Sequence, residues 1–202
     1  TSECRINHEH SKLTHLNLSC NEIGHVGVNI LIAFLENARG VCLKSLNLMG
    51  NRITSGGISK FCGVLGRESC NQLEVLNLHD NDGVGDEGVR MLCDGFRKGN
   101  GKLDVLDLSS CGLTHACMPD LSEFLKDEKC RLTDLSLSDN NIGDTGVGWL
   151  FDALKVKKFS LTKLDLSKCS LTKKCMGSLG EVLGSEQCQL TNLNLAVNNI
   201  GD

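Results

Sequence analysis

The chain is 202 residues long, carries a formal net charge of −4, and has 3% aromatic residues and no tyrosine. The length allows one large domain or a repeat array, and the charge gives no basis for nucleic-acid attraction or for a self-repelling disordered chain. No apolar run approaches the ~20 residues of a membrane span, and the opening Thr1-Ser-Glu-Cys-Arg5 has no signal-peptide pattern.

In chain order, residues 1–12 are short and polar, with His8 and His10, and read as the tail of a preceding repeat or as a cap. At Leu13 a frame opens: Leu13-x-x-Leu16-x-Leu18-x-x-Asn21-x-Ile23. It returns at Leu43, Leu73, Leu103, Leu132, Leu161 and Leu190, with spacings of 30, 30, 30, 29, 29 and 29 residues. Such a period is the signature of a solenoid. A strand is expected in each repeat near its second leucine: Leu16, Leu46, Leu76, Leu106, Leu135, Leu164 and Leu193. A helix follows, marked by apolar residues four apart. The series runs Gly27-Leu31-Leu35, Gly57-Phe61-Leu65, Gly88-Leu92-Phe96, Cys117-Leu121-Leu125, Gly146-Leu150-Leu154 and Cys175-Leu179-Leu183. The only proline, Pro119, falls in the first turn of the fourth helix, where its missing N–H costs nothing. Trp149 and Phe151 fall in the fifth helix, where core or convex-surface packing is expected. The seventh repeat, residues 190–202, stops where a helix is due. Together with Thr1 in place of an initiator Met, this makes a fragment of a longer array the expectation. Each unit reads strand, turn, helix, loop, and only stacking buries its apolar face.

The third repeat contains Gly83, Gly85 and Gly88 between a strand and a helix, the spacing of a dinucleotide-binding fingerprint. Alignment with Asn21–Gly27 and Asn140–Gly146 shows that Gly85 and Gly88 occupy ordinary repeat positions and that Gly83 is a one-residue insertion. Asp82, Asp86 and Glu87 would also repel a pyrophosphate. The reading is a repeat loop that needs glycine, not a cofactor site.

Twelve cysteines are present. Cys111 and Cys169 replace the repeat asparagine, and Cys117 and Cys175 the helix-start glycine. Cys62 and Cys93 sit at equivalent points of neighbouring helices, whose axes lie ~8–10 Å apart, beyond disulfide reach. Cys111, His115 and Cys117 lack a fourth metal ligand. Buried, reduced thiols are expected. The sequon Asn17-Leu-Ser19 lies inside a strand and has no counterpart in its column.

Cys111-Gly-Leu-Thr-His-Ala-Cys117 and Cys169-Ser-Leu-Thr-Lys-Lys-Cys175 alternate with Asn140-Asn-Ile-Gly-Asp-Thr-Gly146 and Asn198-Asn-Ile-Gly-Asp202. This alternation, over residues 103–202, resembles ribonuclease-inhibitor-type leucine-rich repeats. The Cys-x-Leu-Thr-x-x-Cys spacing is most similar to the repeat domains of NLR proteins, the cytosolic nucleotide-binding leucine-rich-repeat immune receptors, pyrin-containing branch included. The first three repeats instead all carry asparagine, at Asn21, Asn51 and Asn81. The resemblance implies an α/β right-handed solenoid shaped as a horseshoe, with parallel strands on the concave face and helices on the convex face. It further implies a cytoplasmic, non-catalytic domain without a cofactor, which binds protein partners or neighbouring domains of the same receptor. In such receptors it senses ligands and restrains the ATPase module in inflammasome-related signalling. No Gly-x-x-x-x-Gly-Lys-[Ser/Thr] occurs in the chain. Two alternatives stand beside this one: a free-standing ribonuclease-inhibitor-like binder, and a GTPase-regulating repeat protein similar to the activators of Ran.

On the concave face the frame leucines point inward and the residues between them outward. The central column is Asn17, Asn47, Asn77, Asp107, Ser136, Asp165 and Asn194; the next is Ser19, Met49, His79, Ser109, Ser138, Ser167 and Ala196. Asp80, Asp104, Asp134 and Asp139 flank them, and Lys163 and Lys168 begin a basic spot. The candidate face therefore comprises Asn47, Asn77, His79, Asp80, Asp104, Asp107, Asp134, Asp139, Asp165, Lys163 and Lys168. It reads either as a docking site for a basic partner surface or as a plain solvated face. Without aromatic anchors, binding there is expected to be modest. No histidine pairs with a nucleophile, and catalytic, metal and cofactor residues are all read as none.

Overall fold

The computed structural model describes residues 12–37, 42–65, 72–99, 102–155 and 160–201. Each frame leucine expected at a strand centre is found there: β1 His15–Asn17, β2 Ser45–Asn47, β3 Val75–Asn77, β4 Val105–Asp107, β5 Asp134–Ser136, β6 Lys163–Asp165 and β7 Asn192–Asn194. The seven strands form one parallel sheet in sequence order. Leu16, Leu46, Leu76, Leu106, Leu135, Leu164 and Leu193 pair in one register. Between them run α1 Gly24–Asn37, α2 Ser55–Cys62, α3 Gly85–Lys98, α4 Met118–Lys126, α5 Gly143–Leu154 and α6 Met176–Leu183. The result is a right-handed leucine-rich-repeat solenoid with its sheet on the concave side and its helices on the convex side.

The core is one column of frame leucines packed against the helix positions spaced four apart. Leu46, Leu76, Leu106, Leu135 and Leu164 are buried, as are Leu31, Phe61, Leu92, Leu121, Leu150 and Leu179 behind them. Phe151 is fully buried, whereas Trp149 is 46% exposed, which resolves the two side chains left open by periodicity. The helix-start glycine is explained by contact. A Cβ at Gly27, Gly88 or Gly146 would lie 2.3–2.8 Å from Ile23, Val84 or Ile142. Where Cys117 and Cys175 replace it, the helix opens with a 3-10 turn, His115–Cys117 or Lys173–Cys175, capped by Thr114 or Thr172.

A buried asparagine ladder joins the turns after the strands. The Asn81 Oδ1 accepts from the amides of Asn51 (3.0 Å) and Ile53 (2.8 Å) in the preceding repeat. Its Nδ2 donates to the carbonyls of Leu48 (3.0 Å) and Leu78 (2.7 Å). Asn51 and Asn140 repeat the pattern. Cys111 and Cys169 take over one of these bonds. Their thiols donate at 3.2 Å to the carbonyls of Leu78 and Leu137 in the preceding repeats. They are thus buried small donors and not only packing. Burial pushes both thiols up, to about 12 for Cys111 and about 11 for Cys169. The ten described cysteines are free; Cys4 and Cys70 lie outside the described residues.

The ladder also imposes a backbone column. The residue before each ladder position has positive φ in all seven repeats: Cys20, Gly50, Asp80, Ser110, Asp139, Lys168 and Val197, between 52° and 62°. Only Gly50 is a glycine. Left-handed backbone normally costs an L-residue about 1–2 kcal/mol, so the ladder's bonds must offset it six times over.

Candidate protein-binding face

The strand register brings Asn47, Asn77, Asp107, Ser136 and Asp165 side by side across five strands. This column serves the fold as well as presenting polar groups. The side-chain oxygens of Asn47, Asn77, Asp107 and Asp165 each accept from the amide two residues on, at 2.8–3.0 Å. These are Asx turns, which bend the chain out of the strand. Asp165 is further held by the Ser167 hydroxyl (2.7 Å) and the Asn194 amide (3.0 Å). His79 Nδ1 lies 3.8 Å from Asp107. Serine hydroxyls also pair across repeats, Ser109 of the next column with Ser136 of the central one at 2.7 Å, and Ser138 with Ser167 within the next column at 2.9 Å.

The acids of this face divide by what they touch. Asp104 lies at the foot of β4 with Arg131 at 4.0 Å, and Asp134 pairs with Lys163 at 3.3 Å. Asp107 and Asp165 are the turn acceptors just described. Asp80 and Asp139 are exposed members of the left-handed column, in which Lys168 also sits. Neither forms an ion pair among the described residues, and Asp139 accepts only from the Ser110 hydroxyl, at 3.1 Å. Lys163 also borders a shallow concavity of about 460 Å³ with Asp165, Asn192 and Asn194. Asn192 was not among the sequence candidates; its place in the Asp134–Lys163 column is the signal that finds it.

The glycine fingerprint is a packed repeat loop. The Gly85 amide donates to the Cys111 carbonyl (2.9 Å) and the Gly88 amide to the Val84 carbonyl (3.0 Å), so amides that a phosphate would need are already bonded. A Cβ at Gly83 would lie 3.0 Å from Thr54, and one at Gly88 would lie 2.8 Å from Val84. Asp86 clamps the next repeat. Its carboxylate accepts from the Thr114 amide (2.8 Å) and hydroxyl (2.6 Å), and the Thr114 hydroxyl accepts from the Ala116 amide. Asp144 does the same to Thr172, at 2.8 and 2.5 Å. Among the described residues no cluster of metal-ligating side chains forms, and no helix is long and apolar enough to cross a membrane.

The clamp carries a pH prediction. Burial alone would raise the Asp86 carboxyl, but bonds from Thr114 and Cys117 outweigh it and hold the pKa below the usual 3.8. A depressed folded-state pKa stabilises the fold above the unfolded value and loses that stabilisation as pH falls through the folded one. Asp86→Ala is therefore expected to lower stability by about 2 kcal/mol at pH 7. The gap to wild type should shrink below pH ~4. Urea melts across pH 3–7 measure it, and a gap independent of pH would show that the charge on Asp86 does no work.

Two leucine-rich-repeat family models match the chain, one at residues 9–29, 41–62, 69–93 and 129–148 and the other at 160–182. NACHT, LRR and PYD domains-containing protein 3 of Bos taurus is 41% identical over 145 residues, covering 71% of this chain and 13% of that protein. The ribonuclease inhibitor of Sus scrofa is 35% identical over 151 residues, 75% of this chain and 32% of the inhibitor. NACHT, LRR and PYD domains-containing protein 14 of Homo sapiens is 35% identical over 147 residues, 72% of this chain and 13% of that protein. The chain thus spans a third or less of the length of these relatives. Among solved structures, a chain of the yeast Rad7–Elc1 complex superposes with a TM-score of 0.58 over 92% of this chain and 42% of its own length, at 19% identity, a likeness of fold alone. With its seven-fold frame, its asparagine ladder and these matches, the chain belongs to the leucine-rich-repeat family, as a protein-interaction domain similar to the repeat regions of NACHT-LRR-PYD proteins and to ribonuclease inhibitor.

Proposed function

We propose that the chain is a non-catalytic, cytosolic interaction domain of an NLR-type innate immune receptor, which senses ligands or restrains neighbouring receptor domains through its concave face. The observation that supports the concave reading is the pair Asp80 and Asp139. Both are exposed acids that the fold does not need, raised on the rim beside the serine column. A basic patch on a partner or neighbouring domain is the complementary surface. Asp107 and Asp165 are poor probes of this, because reversing them would also break their turns. Lys168 shows that the Asp80–Asp139 column accepts lysine at positive φ.

The test is the double variant Asp80→Lys with Asp139→Lys. Capture of a Lys–Ser alternating octapeptide, measured by surface plasmon resonance at low salt, is expected to weaken about three- to tenfold. The thermal midpoint should stay within about 2 °C of wild type, since exposed charges contribute little. In a receptor carrying the domain, the same variant should raise resting output. Undiminished capture together with unchanged output would reduce the face to solvated surface. A second reading, a ribonuclease-inhibitor-like binder, is favoured by the 35% identity to the porcine inhibitor. Saturable binding of pancreatic ribonuclease that the double variant weakens would select it.

A further inference from the structure

On the convex face, two seams between successive helices are strapped by the same pair of repeat positions. The second residue after the helix-start position of one repeat meets the third of the next. Lys60 of α2 donates to Asn29 of α1 at 3.0 Å, and Arg90 of α3 reaches Asp120 of α4 at 3.5 Å. At the α4–α5 seam these two positions hold Pro119 and Trp149. Pro119 offers no polar group, so no strap forms. A groove of about 390 Å³ lies there instead, lined by these two residues with Asp120, Ser122, Glu123 and Lys126. Trp149, the chain's only tryptophan, is left 46% exposed. Among the described residues no cation lies over its ring.

Acid is in excess around this groove. Arg90 is shared between Asp120 and Glu87, and Arg97 between Glu123 and Asp127. Lys126, the other cation on the wall, forms no ion pair among the described residues. Four carboxylates thus stand against three cations. One turn beyond Trp149 on α5, Asp152 shares Lys155 with Glu181, which leaves a second negative charge unmatched. We propose that the groove receives an arginine side chain of a partner protein, its guanidinium stacked on Trp149 and bonded to Asp120 or Glu123. The excess of carboxylates selects a cation, and the indole selects which one. Tryptophan offers the best ring face for a cation. A guanidinium is planar and weakly hydrated, so it stacks on that face while its edge donates to a carboxylate. An ammonium is more strongly hydrated and has no plane to stack. Pro119 gives the methylene stem an apolar flank. The volume suits one long side chain, at the lower end of the range of small binding sites. This site lies on the convex face and does not rest on the concave reading.

With a single tryptophan, the one indole N–H resonance in the spectrum of isotope-labelled protein reports on Trp149 alone. Three acetylated tetrapeptide amides serve as probes, titrated into the 202-residue chain at low salt: Arg-Ala-Ala-Arg, its citrulline counterpart and Glu-Ala-Ala-Glu. The arginine peptide is expected to shift that resonance and to saturate below about 10 mM. Citrulline keeps the shape without the charge and should need at least about threefold more, while the acidic peptide should leave the resonance in place. Raising the salt to ~1 M should narrow the difference between arginine and citrulline. Lys126→Gln removes a repelling charge and should tighten binding of the arginine peptide about threefold, at an unchanged thermal midpoint. Glu123→Gln should weaken it about as much, and Asp127 still holds Arg97 in that variant. Asp80→Lys with Asp139→Lys should leave the titration unaltered, which separates this site from the concave face. No saturable shift with the arginine peptide, equal affinity for its citrulline counterpart, no tightening in Lys126→Gln, or loss of the shift in the Asp80–Asp139 variant would each overturn the proposal.

Discussion

Replacing Asn81 with alanine is expected to cost about 4 kcal/mol or more, a large fraction of the stability of any domain. The residue is fully buried and bonds both to its own repeat and to the one before. Truncation strands the amides of Asn51 and Ile53, which water does not reach without opening the turn, and it leaves the carbonyls of Leu48 and Leu78 with one donor each, from Asn51 and Cys111. An unsatisfied buried group costs about 1–3 kcal/mol, and removing this one partner strands two at once. Asn21→Ala provides the contrast. Its amide side chain is exposed and donates only to carbonyls of its own turn, Leu18 and Ser19, so about 1 kcal/mol is expected. Asn81→Cys should fall between them. The thiols of Cys111 and Cys169 show that cysteine keeps the bond to the preceding leucine carbonyl, but it supplies no acceptor comparable to an amide oxygen. Urea midpoints of the three variants test the order. A loss below about 1.5 kcal/mol for Asn81→Ala would mean that the ladder is not what joins the turns.

The seven strands, their register and the six helices are legible because a leucine that must be buried every 29 or 30 residues fixes the frame by itself. Alternation likewise says that Asn77, Asp107 and Asp165 point outward. It does not say what they bond. That they accept amides two residues on is a local geometry shared by many solvated asparagines and aspartates, and the sequence alone offers it only as one option. The left-handed column is still less legible. Cys20, Asp80, Ser110, Asp139, Lys168 and Val197 include no residue that prefers positive φ strongly enough to betray it. The ladder bonds beside them impose the conformation, so the cause lies in a neighbouring repeat. The same holds for the acids. Sequence placed Asp80, Asp104, Asp134 and Asp139 in one flank, whereas Arg131, Lys163 and Ser110 divide the last three by contact. The clamp at Asp86 was hidden for another reason. Sequence offers Asp86 only as one of three acids in the glycine loop that would repel a pyrophosphate, because its partner, Thr114, lies one repeat later.

The inserted residue in that loop leads to the second large effect, at Gly112. This glycine has φ of +68°, and a Cβ on it would lie 2.4 Å from the Asp82 carbonyl oxygen. Backbone cannot move aside as a flexible side chain can. Left-handed conformation is not itself the obstacle, since Ser170, at the equivalent position two repeats on, adopts φ of 58°. The two sites differ in the loop they face. Ser170 follows the loop Asn140-Asn-Ile-Gly143, whereas Gly112 follows Asn81-Asp-Gly-Val-Gly85, which is one residue longer. The extra residue thus accounts for the close approach of the Asp82 carbonyl, and the glycine one repeat later accommodates it. Gly112→Ser is accordingly expected to cost about 3 kcal/mol, from the strained contact added to the left-handed backbone. Deleting Gly83 restores the shorter loop. The deletion has its own cost, because the Gly83 carbonyl accepts from the Ser55 amide at 2.9 Å. In the deleted background, however, Gly112→Ser should cost only about 1 kcal/mol, leaving a coupling of about 2 kcal/mol between two sites in neighbouring repeats. Denaturation of wild type, the two single variants and the double variant closes the cycle. Strictly additive losses would show that the insertion and the glycine are unrelated, and that Gly112 is required by its own turn alone.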